Sequence, residues 1–316
     1  MTRRTPLPAQ LPDAFATAHA VEVGVRISRL RAADLDAPFR GARLRPSSFR
    51  GYSPDLEELQ REQRRYNLLR RCRAFAAVAA QPFVFSHVTA AQLYGFPMTR
   101  ALENSTAVHV TMQAGTQPPR MVGVVGHRAR ALHSRQVEAL PVVEPVVAWS
   151  QLAPLLSLDR LTAAGDHLVR RKSPFATMDE IAAFVAAAGG TRGIRSLRAV
   201  LPDMREGTES PRETVTRLLI VRSGLPEPVV AHSVYNKNGV LVGTPDLSYL
   251  RQKIGMEYEG IIHGLDTQVF RNDIERRERF QDEGWLIIRI TADHLRNPRV
   301  LIARIRKALA DRDHMV

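Results

Sequence analysis

Four side chains able to do acid–base or metal chemistry fall within residues 244–264, TPDLSYLRQKIGMEYEGIIHG: Asp246, Glu257, Glu259 and His263. Side chains on a strand alternate faces. Glu257 and Glu259 therefore share one face of a strand, and Met256 and Tyr258 share the other. Packing of the apolar face on a core turns the acids away from it. Neighbouring carboxylates repel one another unless a cation neutralises them. A hard divalent ion such as Mg²⁺ or Mn²⁺, which takes oxygen ligands, is the candidate. Acids on an open strand face are more often simply solvated. The third acid, Asp246, the histidine four residues after Glu259, and Gly260, which permits a close backbone approach, favour a site.

Several elements must bring these groups together. Residues 240–250 read as a strand carrying Asp246, Arg251-Gln252-Lys253 as a turn, and IGMEYEG as the returning strand. Asn-Gly at 238–239 marks an earlier hairpin turn, so three consecutive antiparallel strands are expected. Upstream, Ser210-Pro211 has the form of a helix start and places Glu213 in the first turn. There the helix N-terminus stabilises a carboxylate whether or not it binds anything. Downstream, RNDIERRERF predicts a helix and WLIIRIT a buried strand, followed by a closing helix. Glu275 and Arg279 are spaced as a surface pair, whereas Arg271 and Arg276 are available to phosphates.

Pro245-Asp246, ten residues, then Glu257-Tyr258-Glu259 resembles the PD-(D/E)XK nuclease signature. With the flanking text, residues 210–308 resemble relatives of very-short-patch-repair endonuclease. The resemblance implies a central sheet flanked by helices and a metal-dependent endodeoxyribonuclease. It implies Asp246, Glu257 and Glu213 as metal ligands, with Glu209 as a substitute for Glu213, and His263 or Glu259 as proton acceptor. The signature lysine is replaced by Glu259. Very-short-patch-repair-like proteins also lack that lysine and rely on histidine. The alternative is a DNA-binding regulator whose nuclease fold has lost catalysis.

The chain has 316 residues and a formal net charge of +13, which points to a polyanion such as DNA. Arginine-rich coding accounts for part of that excess. Cys72 is the single cysteine, so no disulfide forms within the chain. The start, MTRRTPLPAQLPD, lacks the apolar stretch of a secretion signal, and no run is long enough to span a bilayer. A cytoplasmic protein without membrane association is expected.

The overall expectation is a mixed α/β chain in three parts: residues 1–50, 51–205 and 206–316. In the first, Ala20, Gly24 and Leu30 sit where a helix-turn-helix takes a small residue, a turn glycine and a core residue. A second helix over residues 27–33 would then offer Ser28, Arg29 and Arg31 to DNA, with Arg40, Arg43 and Arg45 on a basic wing. An ordinary helix pair fits the same pattern equally well. A helix is predicted over 55–80, with Ser53-Pro54 at its start, and another begins at Ser86 and stops at Gly95. His87, at that helix start, reads as structural. Residues 108–112 and 121–131 read as strands joined by a turn. Helices follow near 144–155, 158–171 and 178–188, and a Pro- and Gly-containing linker is expected at 202–211. Residues 10–200 resemble type IV abortive-infection antitoxin-like proteins. That resemblance implies a winged-helix DNA-binding part and admits a homodimer or a toxin-like protein partner.

Overall fold

A computed structural model of the chain describes residues 5–53, 55–190, 192–259 and 267–313, and the backbone alone within 267–273. His263 lies outside the described residues, as does the side chain of Arg271. The fold is mixed α/β and divides into two units, Met1–Pro154 and Leu155–Val316.

In the first unit, Ala14–Ala16 pairs antiparallel with Ala42–Leu44. Helices Thr17–Glu22 and Ile27–Leu30 lie between them in the chain. Ala20 is fully buried, Leu30 nearly so, and Gly24 makes the turn at φ +87°. The second helix is a single turn, shorter than the expected 27–33. Helix Leu56–Ala76 starts from Asp55, whose carboxylate accepts the Glu58 N–H at 2.7 Å. Its apolar stripe buries Leu68, Cys72 and Phe75, and Phe75 packs edge-on to Phe39, Phe83 and Phe85.

A five-stranded sheet follows, in the spatial order Val124–Ala129, Val108–Gln113, Val84–Phe85, Leu140–Val143, Ser134–Val137. Val108–Gln113 and Val124–Ala129 are parallel, so residues 114–123 form a return connection rather than a tight turn. Ser86 starts helix His87–Tyr94 without a side-chain cap, because its hydroxyl is engaged elsewhere.

The second unit is built on a four-stranded sheet, ordered Leu286–Ile290, Ile254–Tyr258, Leu247–Tyr249, Val229–Val230. Its first two strands are parallel and the other pairings antiparallel. One face carries Leu247, Ile254, Met256, Ile288 and Ile290, which pack with Ile220 of helix Pro211–Arg222 and with Leu301 and Ile305 of helix Pro298–Asp313. Around Ile287, on the opposite face, are Val234, Val242, Phe280 and Trp285. Period-2 alternation thus sends Glu257 to the face covered by helix Thr267–Asp282. The hairpin Val234–Tyr235/Leu241–Gly243 forms its own two-stranded sheet instead of extending the main one. The chain leaves Val230 through Ala231 at φ +49°, which breaks the strand.

The polar 202–211 stretch lies inside the second unit. Met204 and Thr208 are buried. Helix Leu158–Asp166 is tied to helix Pro211–Arg222 through Asp166, which accepts the Thr214 hydroxyl at 2.8 Å and pairs with Arg217 at 3.4 Å. Arg217 is 1% exposed and also reaches Glu227 at 2.9 Å. Removing one partner of a buried ion pair strands the other charge. Arg217→Ala should therefore lower the unfolding free energy by about 3–5 kcal/mol in urea titrations. A loss below about 1 kcal/mol would contradict this account of how the helices are joined.

Candidate functional site

The register Leu247↔Met256, Ser248↔Gly255, Tyr249↔Ile254 sets Asp246 across from the end of the Ile254–Tyr258 strand. Its carboxylate accepts the Tyr258 N–H at 2.7 Å. Gly255 permits this approach. A Cβ there would lie 2.9 Å from Pro245 Cγ and 2.7 Å from Ile287 Cδ1, too close on both sides. The Pro-Asp step can rest against the strand because position 255 has no side chain.

Glu213 meets this end of the sheet from helix Pro211–Arg222. Ser210 caps that helix by accepting the Glu213 N–H at 3.3 Å, and Glu213 Oε2 accepts the Glu209 N–H at 3.0 Å. Glu213 is only 6% exposed. Burial, together with the nearby Asp246 charge, pushes its carboxyl up to about 7. Burial also raises Asp246, against the lowering influence of the Tyr258 N–H, Arg276 and Arg171. Two carboxyl groups thus share a water-poor corner that disfavours their joint ionisation.

Arginines meet residues 257–259 beside the pair. Arg276 grips Glu257 with both terminal nitrogens, at 2.6 and 3.2 Å. Arg289, on the adjacent parallel strand, pairs with Glu259. Arg212 lies over the Tyr258 ring, 4.6 Å from its centroid. The two strand acids were expected to leave their charge for a metal ion; instead each already faces a guanidinium. The parallel neighbour brings Arg289, and the covering helix brings Arg276. Among the described residues, no group of three His, Cys, Asp or Glu side chains gathers at metal-holding distances.

Glu209 pairs with Arg171 at 3.5 Å and accepts the Lys172 N–H, and its charge also raises Glu213. Arg171, which influences Asp246, was not anticipated from the sequence; the basic run Arg170-Arg171-Lys172 was the available signal. At the N-terminus, Ser28 and Arg31 are exposed. Arg29 is instead held by Asp34 through two hydrogen bonds, at 3.0 and 2.8 Å. Arg43 and Arg45 donate to main-chain carbonyls of Leu30, Pro8 and Leu11, bracing the segment rather than forming an outward wing.

The Glu213 shift carries a pH signature. An unfolded glutamate ionises near 4.5, whereas Glu213 in the fold ionises at about 7. Between those values the folded chain retains a proton that the unfolded chain has lost, so stability falls as pH rises through the window. Glu213→Gln should remove this loss, worth up to about 3 kcal/mol, and flatten the stability profile between pH 5 and 7.5. Identical slopes for both proteins would contradict the burial argument.

No family model matches the chain. Two curated relatives are Uncharacterized protein MT2308 of Mycobacterium tuberculosis (strain CDC 1551 / Oshkosh) and Uncharacterized protein Rv2248 of strain ATCC 25618 / H37Rv. Each is 30% identical over 228 residues, covering 72% of this chain and 81% of the relative. That span is longer than either unit, so the match draws on both. A solved structure, the crystal structure of RV2827C protein from Mycobacterium tuberculosis, is similar over 73% of this chain and 86% of that chain, at 15% identity and a TM-score of 0.39. By identity and coverage, this chain belongs to the family of the two uncharacterized mycobacterial proteins MT2308 and Rv2248.

Proposed function

We propose that the second unit is a metal-dependent endodeoxyribonuclease, hydrolysing DNA phosphodiester bonds at the corner formed by Glu213 and Asp246. The observation that carries this reading is the buried carboxyl pair of Glu213 and Asp246, with the charges of Arg276 and Arg171 acting on Asp246. The donors are carboxylate oxygens, the ligands preferred by Mg²⁺ and Mn²⁺. A cation at the corner would offset the burial and the Asp246 charge that raise Glu213. Asp246 and Glu213 would hold the ion, and Glu257 would join them on release from Arg276. When bound, such an ion polarises a phosphoryl oxygen and acidifies water.

The remaining roles belong to the chain's own side chains. Arg276, beside both Glu257 and Asp246, supplies positive charge where the nuclease signature has lysine, opposite the charge that develops on phosphorus. Arg171 adds a second cation beside Asp246 and suits a flanking phosphate. Glu259 is committed to Arg289, which leaves His263 as the proposed proton acceptor. The order of helix Pro211–Arg222, five short strands, helix Thr267–Asp282 and strand Leu286–Ile290 supports the very-short-patch-repair-like resemblance.

A second reading has its own support. Arg276 and Arg289 already neutralise two of the four candidate acids, as in a scaffold that grips DNA without cutting it. The first unit carries 20 basic residues against 11 acidic, and the second 25 against 21, so the excess favouring a polyanion lies mainly in the first.

With Mg²⁺ or Mn²⁺, the purified chain should nick supercoiled plasmid. Asp246→Ala should abolish nicking, and Arg276→Ala should slow it about a hundredfold. Cleavage that survives Asp246→Ala would remove the assignment. Absence of cleavage by the unaltered chain, with salt-sensitive duplex binding indifferent to Asp246→Ala, would favour the DNA-gripping scaffold.

A further inference from the structure

Three histidines far apart in sequence meet in the first unit. His87 opens helix His87–Tyr94, His109 lies on strand Val108–Gln113, and His127 on the parallel strand Val124–Ala129. The parallel register sets His127 opposite Thr111, two residues from His109 on the same strand face. His109 Nδ1 and His127 Nε2 stand 3.1 Å apart. The His87 ring stacks on His127, with centroids 3.5 Å apart and planes 12° from parallel. All three are only partly buried, so the cluster is open to solvent.

We infer that His109 Nδ1 and His127 Nε2, joined by His87 Nε2 after rotation of its ring, form a binding site for a borderline divalent metal ion such as Zn²⁺, Ni²⁺ or Cu²⁺. Nitrogen–metal bonds of about 2.0–2.1 Å let two donors at the observed 3.1 Å spacing share one ion at roughly a right angle. Imidazole suits these ions, whereas Mg²⁺ and Ca²⁺ prefer oxygen. The surroundings of His87 are also those of a ligand. Its Nδ1 lies 3.0 Å from the Ser86 hydroxyl, which accepts the Thr111 hydroxyl at 2.8 Å. Ser86 is fully buried and Thr111 nearly so. The Ser86 contact occupies Nδ1 and so assigns Nε2 as the nitrogen offered to an ion. The His87 N–H donates to Gln151 Oε1 at 2.6 Å, and the residue holds φ +51°, an uncommon backbone state for a side chain of this size.

The test uses the full chain, stripped with chelator. Zn²⁺ should bind with a stoichiometry of one at this site and raise Tm, and Co²⁺ should give visible bands that Zn²⁺ displaces. Asp246→Ala should leave this binding unchanged, which separates it from any ion at the carboxylate corner. His127→Gln and His87→Gln should each weaken Zn²⁺ binding at least about tenfold while retaining the unaltered chain's circular dichroism. If either variant misfolds, histidine-selective ¹⁵N labelling of the unaltered chain reads the same contacts, since Zn²⁺ should shift these three rings before any other histidine. Saturable binding absent from the unaltered chain, unchanged affinity in folded variants, or Zn²⁺ shifts confined to other histidines would overturn the proposal.

Discussion

The contact between Asp246 and the Tyr258 main-chain N–H organises the second unit's candidate site. It ties the Pro-Asp step to the end of a strand buried between two helix layers. The strand register, the bare Cα of Gly255 and the capped start of helix Pro211–Arg222 then bring Glu213 beside Asp246. Two acids drawn out of water this way repel each other and resist ionisation. The fold must neutralise them, protonate them or recruit a cation. Glu213, raised to about 7 chiefly by burial, keeps its proton far above the pH at which an ordinary glutamate loses it.

Arginine supplies charge around that corner by two routes. Arg276 comes from a helix lying across the sheet, and Arg289 from the parallel strand alongside. Both face strand acids that alternation had sent to the same side as Ile287. The proposed hydrolysis requires Arg276 to exchange Glu257 for a phosphate. The scaffold reading requires it to stay. The two readings therefore differ in the lifetime of one ion pair rather than in the fold around it.

Much of this was legible in the sequence. The returning strand with Glu257, the polar turn before it, the Ser210-Pro211 helix start and the Asn-Gly turn follow from local chemistry, and the structure has each, whereas the strand expected over 240–250 is broken into Leu241–Gly243 and Leu247–Tyr249, in different sheets, with Asp246 in the bend between them. What escaped depends on contacts distant in sequence. Alternation showed that Glu257 and Glu259 share a face but not which cations lie over it. Turn residues at 115–119 marked a change of direction but could not tell a hairpin from the parallel return that places His127 near His109. The 202–211 stretch has a linker's composition, yet Met204 seals against Gly165 and Asp166 takes the Arg205 N–H at 2.8 Å, so it is built into the unit. Arg29, Arg43 and Arg45 fitted either DNA contacts or an ordinary basic segment, and the sequence did not show that Asp34 and the carbonyls of Leu30, Pro8 and Leu11 hold them.

The central claim is that the buried Glu213–Asp246 corner takes up a divalent ion. The most direct measurement is the carboxyl ¹³C titration of Glu213, assigned through Glu213→Gln, with and without Mg²⁺. The account predicts a midpoint near 7 without the ion, falling by more than about one unit when Mg²⁺ binds. A midpoint near the ordinary glutamate value, or one that Mg²⁺ leaves in place, would contradict it.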